Sequence, residues 1–271
     1  MPNRPRRHFI GRDRRSSWPL LVSLGLVTLI GPAPYVAGLT VSVSEFDLAA
    51  TPCEQRTLTF VVLNDEPRSA LLEIVIVDWD EAPDGTTKLF PVGDVDRSCG
   101  MWIAVPSGQL ALAPFEEAEV TISLEVPPGV RGTYWSGLLV RAAMPAAPAA
   151  GLVVSREALV RLFFTVSPAT RSTAVTDMEV VSVEPFSASV ELENAGETRV
   201  RFREAIVTVE GPARAVRTVV LPATDVLPGR TVRLSTSAPW GLAESGIYII
   251  RAVFDDGGET LIAGQIAVRV P

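Results

Sequence analysis

The stretch "ALVRLFFTV", residues 158–166, sets one guanidinium, Arg161, inside a run apolar enough to be a buried strand. Arginine stays charged and presents a planar fork of donors that matches a carboxylate. Arg161 therefore either grips an anionic group, or carries its head to solvent over apolar surface and pairs with an acid such as Glu157 or Glu45. Both readings stand on the sequence. The other reactive pair is Cys53 and Cys99, the only two cysteines. An even count in an exported chain favours a disulfide between them, with ~3 to 4 kcal/mol of stabilisation from closing the loop.

Most other site chemistry is missing. The single histidine, His8, falls in the first segment of the chain, so the remainder has no Ser-His-Asp triad, no histidine-based zinc site and no histidine general base. Lys88 is the only lysine, and no glycine-rich phosphate loop stands near it. Nothing beyond abundant Asp and Glu argues for a carboxylate-based hydrolase. The residues point to a chain that is not an enzyme and carries neither a cofactor nor a metal. The densest acidic stretch, "DWDEAPDG" with Asp78, Asp80, Glu81 and Asp84, joined by Asp94 and Asp96, lacks a calcium-loop pattern and its terminal glutamate. Solvated loop charge is the expectation there. Trp79, Trp102, Trp135 and Trp240 sit where alternation already predicts strands, which favours core packing over a sugar platform.

The elements that must position Arg161 are strands. From residue 39 onward helical periodicity is almost absent, and short alternating runs such as "RTLTFVVL", "ALLEIVIVDW", "EVTISLEV" and "YWSGLLVRA" are separated by "LNDEPRS", "APDG" and "VPPGVRG". Short strands with turn signals every 8 to 12 residues describe a β-sandwich. After "SPATRSTAV" a second set begins, from "MEVVSVEP" to "LIAGQIAVRV", with "ENAG" and "DDGG" as turn signals. The halves echo each other: Pro114 and Pro228 each precede a Gly-X-Tyr, at Tyr134 and Tyr248, where a corner tyrosine would bond back to the chain. The fold class is all-β, two immunoglobulin-like sandwiches in tandem, over 39–168 and 176–271 with a linker at 169–175.

Residues 1–38 differ. Arg4, Arg6, Arg7, Arg12, Arg14 and Arg15 precede "WPLLVSLGLVTLI" and a small-residue zone ending at Gly38, the order of an export signal or an N-terminal anchor. This segment holds six of the 24 basic residues and one of the 31 acidic ones, so the rest is more acidic than the whole-chain −7 suggests. Such a chain should not bind nucleic acid or anionic lipid through its net field. The expected location is periplasmic or otherwise extracytoplasmic.

An export signal, two immunoglobulin-like domains, and the run Val160-Arg161-Leu162-Phe163-Phe164 followed by Pro168 together resemble the periplasmic pilus-assembly chaperones of the PapD type. "MWIAVPSGQLALAPFEEAEVTISL" is similar to the middle of their first domain. The resemblance implies a protein that lends a strand to an incomplete subunit of a pilus or other surface structure, with a basic residue on the client's terminal carboxylate. Arg161 matches that basic residue. Leu152 and Val154, after the tether-like "AAMPAAPAAG", match the side chains offered to the client. The family's second basic residue, in the first strand, has no counterpart; "VSEFDL" places Glu45 there. The alternative function is an envelope or cell-surface structural or adhesion module binding protein or glycan.

Overall fold

The computed structural model describes residues 38–105, 109–142, 157–256 and 261–271. All of them belong to one compact unit, Pro32–Pro271. The expected leader up to residue 37, and Leu152 and Val154, which were expected to face a client, lie outside the described residues. Apart from one 3-10 turn at Gly100–Trp102, the regular elements are strands.

In chain order the strands are β1 (Thr40–Val41), β2 (Glu45–Ala50), β3 (Gln55–Leu63), β4 (Ala70–Glu81), β5 (Thr87–Phe90), β6 (Ile103–Ala104), β7 (Gln109–Leu112), β8 (Glu117–Glu125), β9 (Gly132–Ala142) and β10 (Glu157–Val166). A second group follows: β11 (Thr173–Val183), β12 (Phe186–Asn194), β13 (Val200–Phe202), β14 (Glu204–Glu210), β15 (Val216–Leu221), β16 (Thr224–Val226), β17 (Thr231–Ser237), β18 (Gly246–Asp255) and β19 (Ile262–Val270).

The first group forms two sheets, β1-β3-β8-β6 and β2-β10-β9-β4-β5, with β7 also on β4. β8 shows why: Val120, Ile122 and Leu124 point inward while Glu119, Thr121, Ser123 and Glu125 alternate outward, the period of a strand wetted on one face. The continuous alternating run "LTVSVSEFDL" makes two strands. β1 pairs with β3 in one sheet, and after Ser44 the chain crosses to the other, where β2 lies parallel to β10. The second group builds β11-β12-β17, β15-β14-β18-β19 and the small ladder β13-β16 around its own core, led by Phe186, Phe202, Ile250 and Phe254.

β10 breaks the alternation because both of its faces are covered. Val160, Leu162 and Phe164 point into the first sandwich core. Phe163 points outward, yet is 1 % exposed, because it packs in a separate cluster with Trp79, Val95, Trp135 and Leu227, the last from the second sandwich. Two-sided burial is what a nearly continuous apolar run encodes. Arg161, two residues from Phe163, shares that outer face.

Backbone bonds fix the junction. Thr133 N–H donates to the Glu197 carbonyl at 2.7 Å, and Arg199 N–H donates to Thr133 Oγ1 at 2.9 Å. Arg230 binds both carboxylate oxygens of Asp80, at 3.1 and 2.8 Å. Gly132 sits here with φ +85°, and a Cβ on it would stand 2.6 Å from the Glu197 oxygen, so only glycine allows this approach.

Candidate functional site: a strand edge closed by arginines

Arg161 is held on three sides. Its guanidinium lies 4.6 Å from the Trp79 ring centroid, its Nη2 donates to Thr87 Oγ1 at 3.1 Å, and the same nitrogen is 3.4 Å from Glu81. Its side chain remains 34 % exposed. The acids expected as its partners, Glu157 and Glu45, are not the ones that hold it: the ion pair is to Glu81, on the β4–β5 hairpin.

Among the described residues, one side of β10 is only partly paired. β9 covers one side for the whole strand, from Glu157 to Val166. On the other side β2 starts only at Glu45, opposite Arg161, so among the described residues no strand pairs with β10 there ahead of Arg161. Arg161 N–H donates to the Ser44 carbonyl at 2.9 Å and so points toward β2. Strand groups alternate sides, which aims the Leu159 N–H and C=O at the open edge and those of Ala158 and Val160 at β9. An added strand would run along this edge and stop where β2 begins, beside Arg161 and Glu45.

Glu45 opposite Arg161 does not leave a bare negative charge at that stop. Arg199 donates to both of its oxygens, at 3.1 and 2.9 Å, and Arg201 adds a bond at 2.7 Å. Asp225 is bound by the same two arginines, and Asp47 by Arg199 at 3.3 Å. Arg199 is only 4 % exposed and lies over the Phe163 ring, 3.5 Å from its centroid. Burial pushes the Glu45 carboxyl up, but the hydrogen bonds and charge of Arg199 and Arg201 outweigh it and hold the group below the usual carboxylate range. Asp225 is lowered by the same balance, burial opposing and the two arginines winning. Glu81 goes the other way: burial raises it more than the Arg161 charge lowers it.

Above this network lies an open cleft of about 590 Å³, walled by Glu81, Gly85 and Arg161 from the first sandwich and by Arg201, Arg203, Thr224 and Asp225 from the second. Arg199, Arg201 and Arg203 were not singled out by the sequence reading. A signal was there: in "TRVRFRE" they recur with period two, one face of a strand, while Val200 and Phe202 fill the other and are buried.

The cysteines correct an expectation. Cys53 and Cys99 are both free thiols, so the disulfide expected between them is not formed. Cys53 is exposed in the β2–β3 turn with φ 64°, whereas Cys99 is fully buried in the first core, where its N–H donates to Ser136 Oγ at 3.1 Å. Desolvation pushes the Cys99 thiol up to about 12. Asp78 is a second correction: it is not solvated loop charge but wholly buried, accepting from Ser98 Oγ at 2.7 Å, Ser136 Oγ at 2.8 Å and Gly93 N–H at 2.7 Å. The corner-tyrosine expectation holds at Tyr248, whose hydroxyl accepts from Glu244 N–H at 3.0 Å. Tyr134 instead packs on Trp102, with Arg97 over its ring.

The chain is similar to several solved structures over most of its length. The chain is similar to a chain of the chaperone–tip adhesin complex of CFA/I fimbriae, at 10 % identity and TM-score 0.49, over 87 % of this chain and 100 % of that one. It is similar to the class 5 fimbriae chaperone CfaA at 12 % identity and TM-score 0.47, over 86 % and 99 %. It is also similar to the CupB2 chaperone of Pseudomonas aeruginosa at 15 % and 0.40, over 84 % and 100 %. No family model and no curated protein matches the chain. At such identities, what the chain binds has to be read from its own side chains.

Proposed function

We propose that this protein is a non-enzymatic, extracytoplasmic assembly chaperone that binds a subunit of a pilus or similar surface structure by pairing a subunit strand with β10. The observation that carries the reading is the edge of β10 ahead of Arg161: a backbone donor and acceptor at Leu159 with no strand opposite among the described residues, ending at a guanidinium where β2 begins. Exposed strand edges invite pairing with another chain, and proteins with no such use for them protect them. A strand added here stops at Arg161, so a chain terminus fits better than a continuing segment, and a terminal carboxylate is the anion that guanidinium matches. The Glu81 contact at 3.4 Å is loose enough to be exchanged for it. Leu152 and Val154 would supply side chains to the subunit from the segment preceding β10.

The test is capture of partners from the native envelope fraction by the tagged chain, comparing Leu159→Pro with Leu159→Ala. Proline removes the N–H at the open edge and leaves the β9-facing donors of Ala158 and Val160 in place, whereas alanine removes only the side chain. A small β-rich protein bound stoichiometrically by the parent and by Leu159→Ala, and lost with Leu159→Pro, supports strand addition. No such partner, or a partner indifferent to Leu159→Pro, leaves an envelope structural module instead.

A further inference from the structure

We propose that Arg203, on the second sandwich, joins Arg161 across the cleft to form a two-domain grip on that terminal carboxylate. The inference rests on the strand-addition reading and names a second residue for the same site.

The cleft lining carries three guanidinium groups, Arg161, Arg201 and Arg203, against two carboxylates, Glu81 and Asp225. It is thus a positive wall in a chain whose formal charge is −7. The three arginines are committed to different degrees. Arg201 is spent on structure, bound to Asp225 at 2.9 Å and Glu45 at 2.7 Å. Arg161 is held through one 3.4 Å ion pair and a threonine hydroxyl.

Arg203 is exposed, and among the described residues its guanidinium has no ion pair or hydrogen bond. Its base is nevertheless fixed, since its N–H donates to the Asp255 carbonyl at 3.2 Å, one step past the β13–β16 ladder that ends at Phe202↔Thr224. A firmly seated backbone with an unspent head is what a ligand-binding arginine needs. A carboxylate has two oxygens with room for several donors, so it can take Arg161 from one wall and Arg203 from the other.

This arrangement gives Glu45 a different meaning. Arg199 and Arg201 of the second sandwich bind this acid of β2, and that bond draws the second sandwich, with Arg203, against the end of β10.

The experiment uses the C-terminal ten-residue peptide of whichever protein co-purifies with the chain, made as the free acid and as the amide, with binding followed by fluorescence anisotropy. The intact chain should bind the acid roughly 100-fold more tightly than the amide. Arg203→Gln and Arg161→Gln should each weaken the acid about tenfold and leave the amide unchanged, each arm being one charge-assisted contact. If Arg161→Gln weakens the acid and Arg203→Gln does not, Arg161 works alone and this inference falls while the strand-addition reading stands. Equal weakening of acid and amide by Arg203→Gln also overturns it. If the intact chain binds acid and amide alike, this inference falls and strand addition is left to the Leu159→Pro comparison; if no protein co-purifies, both fall.

Discussion

Arg199→Met removes the charge at the centre of the junction while keeping an apolar stem over Phe163. Arg199 is 4 % exposed and bonded to Glu45, Asp47 and Asp225, whose side chains are 21, 49 and 23 % exposed. Removing one partner of a buried ion pair costs about 3–5 kcal/mol because the other charge is left uncompensated. Here Arg201 still reaches Glu45 and Asp225, and both acids keep some water, so about 2–4 kcal/mol is the expected loss. For a chain of this length that lowers the unfolding midpoint by roughly 5–15 °C. Circular dichroism melts of the two proteins at pH 7 measure it.

The pH dependence supplies a second arm. Glu45 and Asp225 have carboxyl groups held below their ordinary range, so their contribution is fully present above about pH 4 and is lost as pH falls through the lowered values. The gap between the parent and Arg199→Met should therefore be full at neutral pH and shrink below about pH 4. A midpoint within about 2 °C of the parent at pH 7, or a gap that does not shrink in acid, would refute the reasoning.

Three more outcomes follow from local geometry. Gly132→Ala forces a side chain onto φ +85° and against the Glu197 oxygen, and should cost about 1–3 kcal/mol in urea unfolding; an unchanged midpoint would mean that the domains do not touch there. A thiol reagent should modify one cysteine in the native protein, Cys53, and a second, Cys99, only after denaturation, whereas no reaction even after denaturation would indicate a disulfide. Glu81 competes for Arg161, and its raised carboxyl means stability increases as pH falls through its titration, so the ionised form is the costly one. Glu81→Gln should leave the melting point at pH 7 unchanged or higher and tighten binding of a terminal carboxylate; weaker binding would show that Glu81 assists the site.

Much of the strand set could be read along the chain because solvent on one face writes period two into β8, β14 and β18. Three features escaped for physical reasons. The break between β1 and β2 leaves no mark in "LTVSVSEFDL", because both pieces alternate alike and only their hydrogen-bond partners differ. The buried Asp78 reads like its exposed neighbours, since what separates them is Ser98 and Ser136, which the fold brings from 20 and 58 residues away. Arg161 was visible in its run, but its partner Glu81 was hidden among loop acids. The period-two arginines at 199, 201 and 203 were readable as a charged strand face, although not as the wall of a cleft, because the opposing wall belongs to the other sandwich.

The central claim concerns one backbone amide. Hydrogen exchange at Leu159, resolved by NMR, should be fast in the free protein and strongly slowed when the co-purifying partner is added, while Ala158 and Val160, already bonded toward β9, should change little. A bound partner that leaves the Leu159 amide exchanging freely would contradict strand addition at β10.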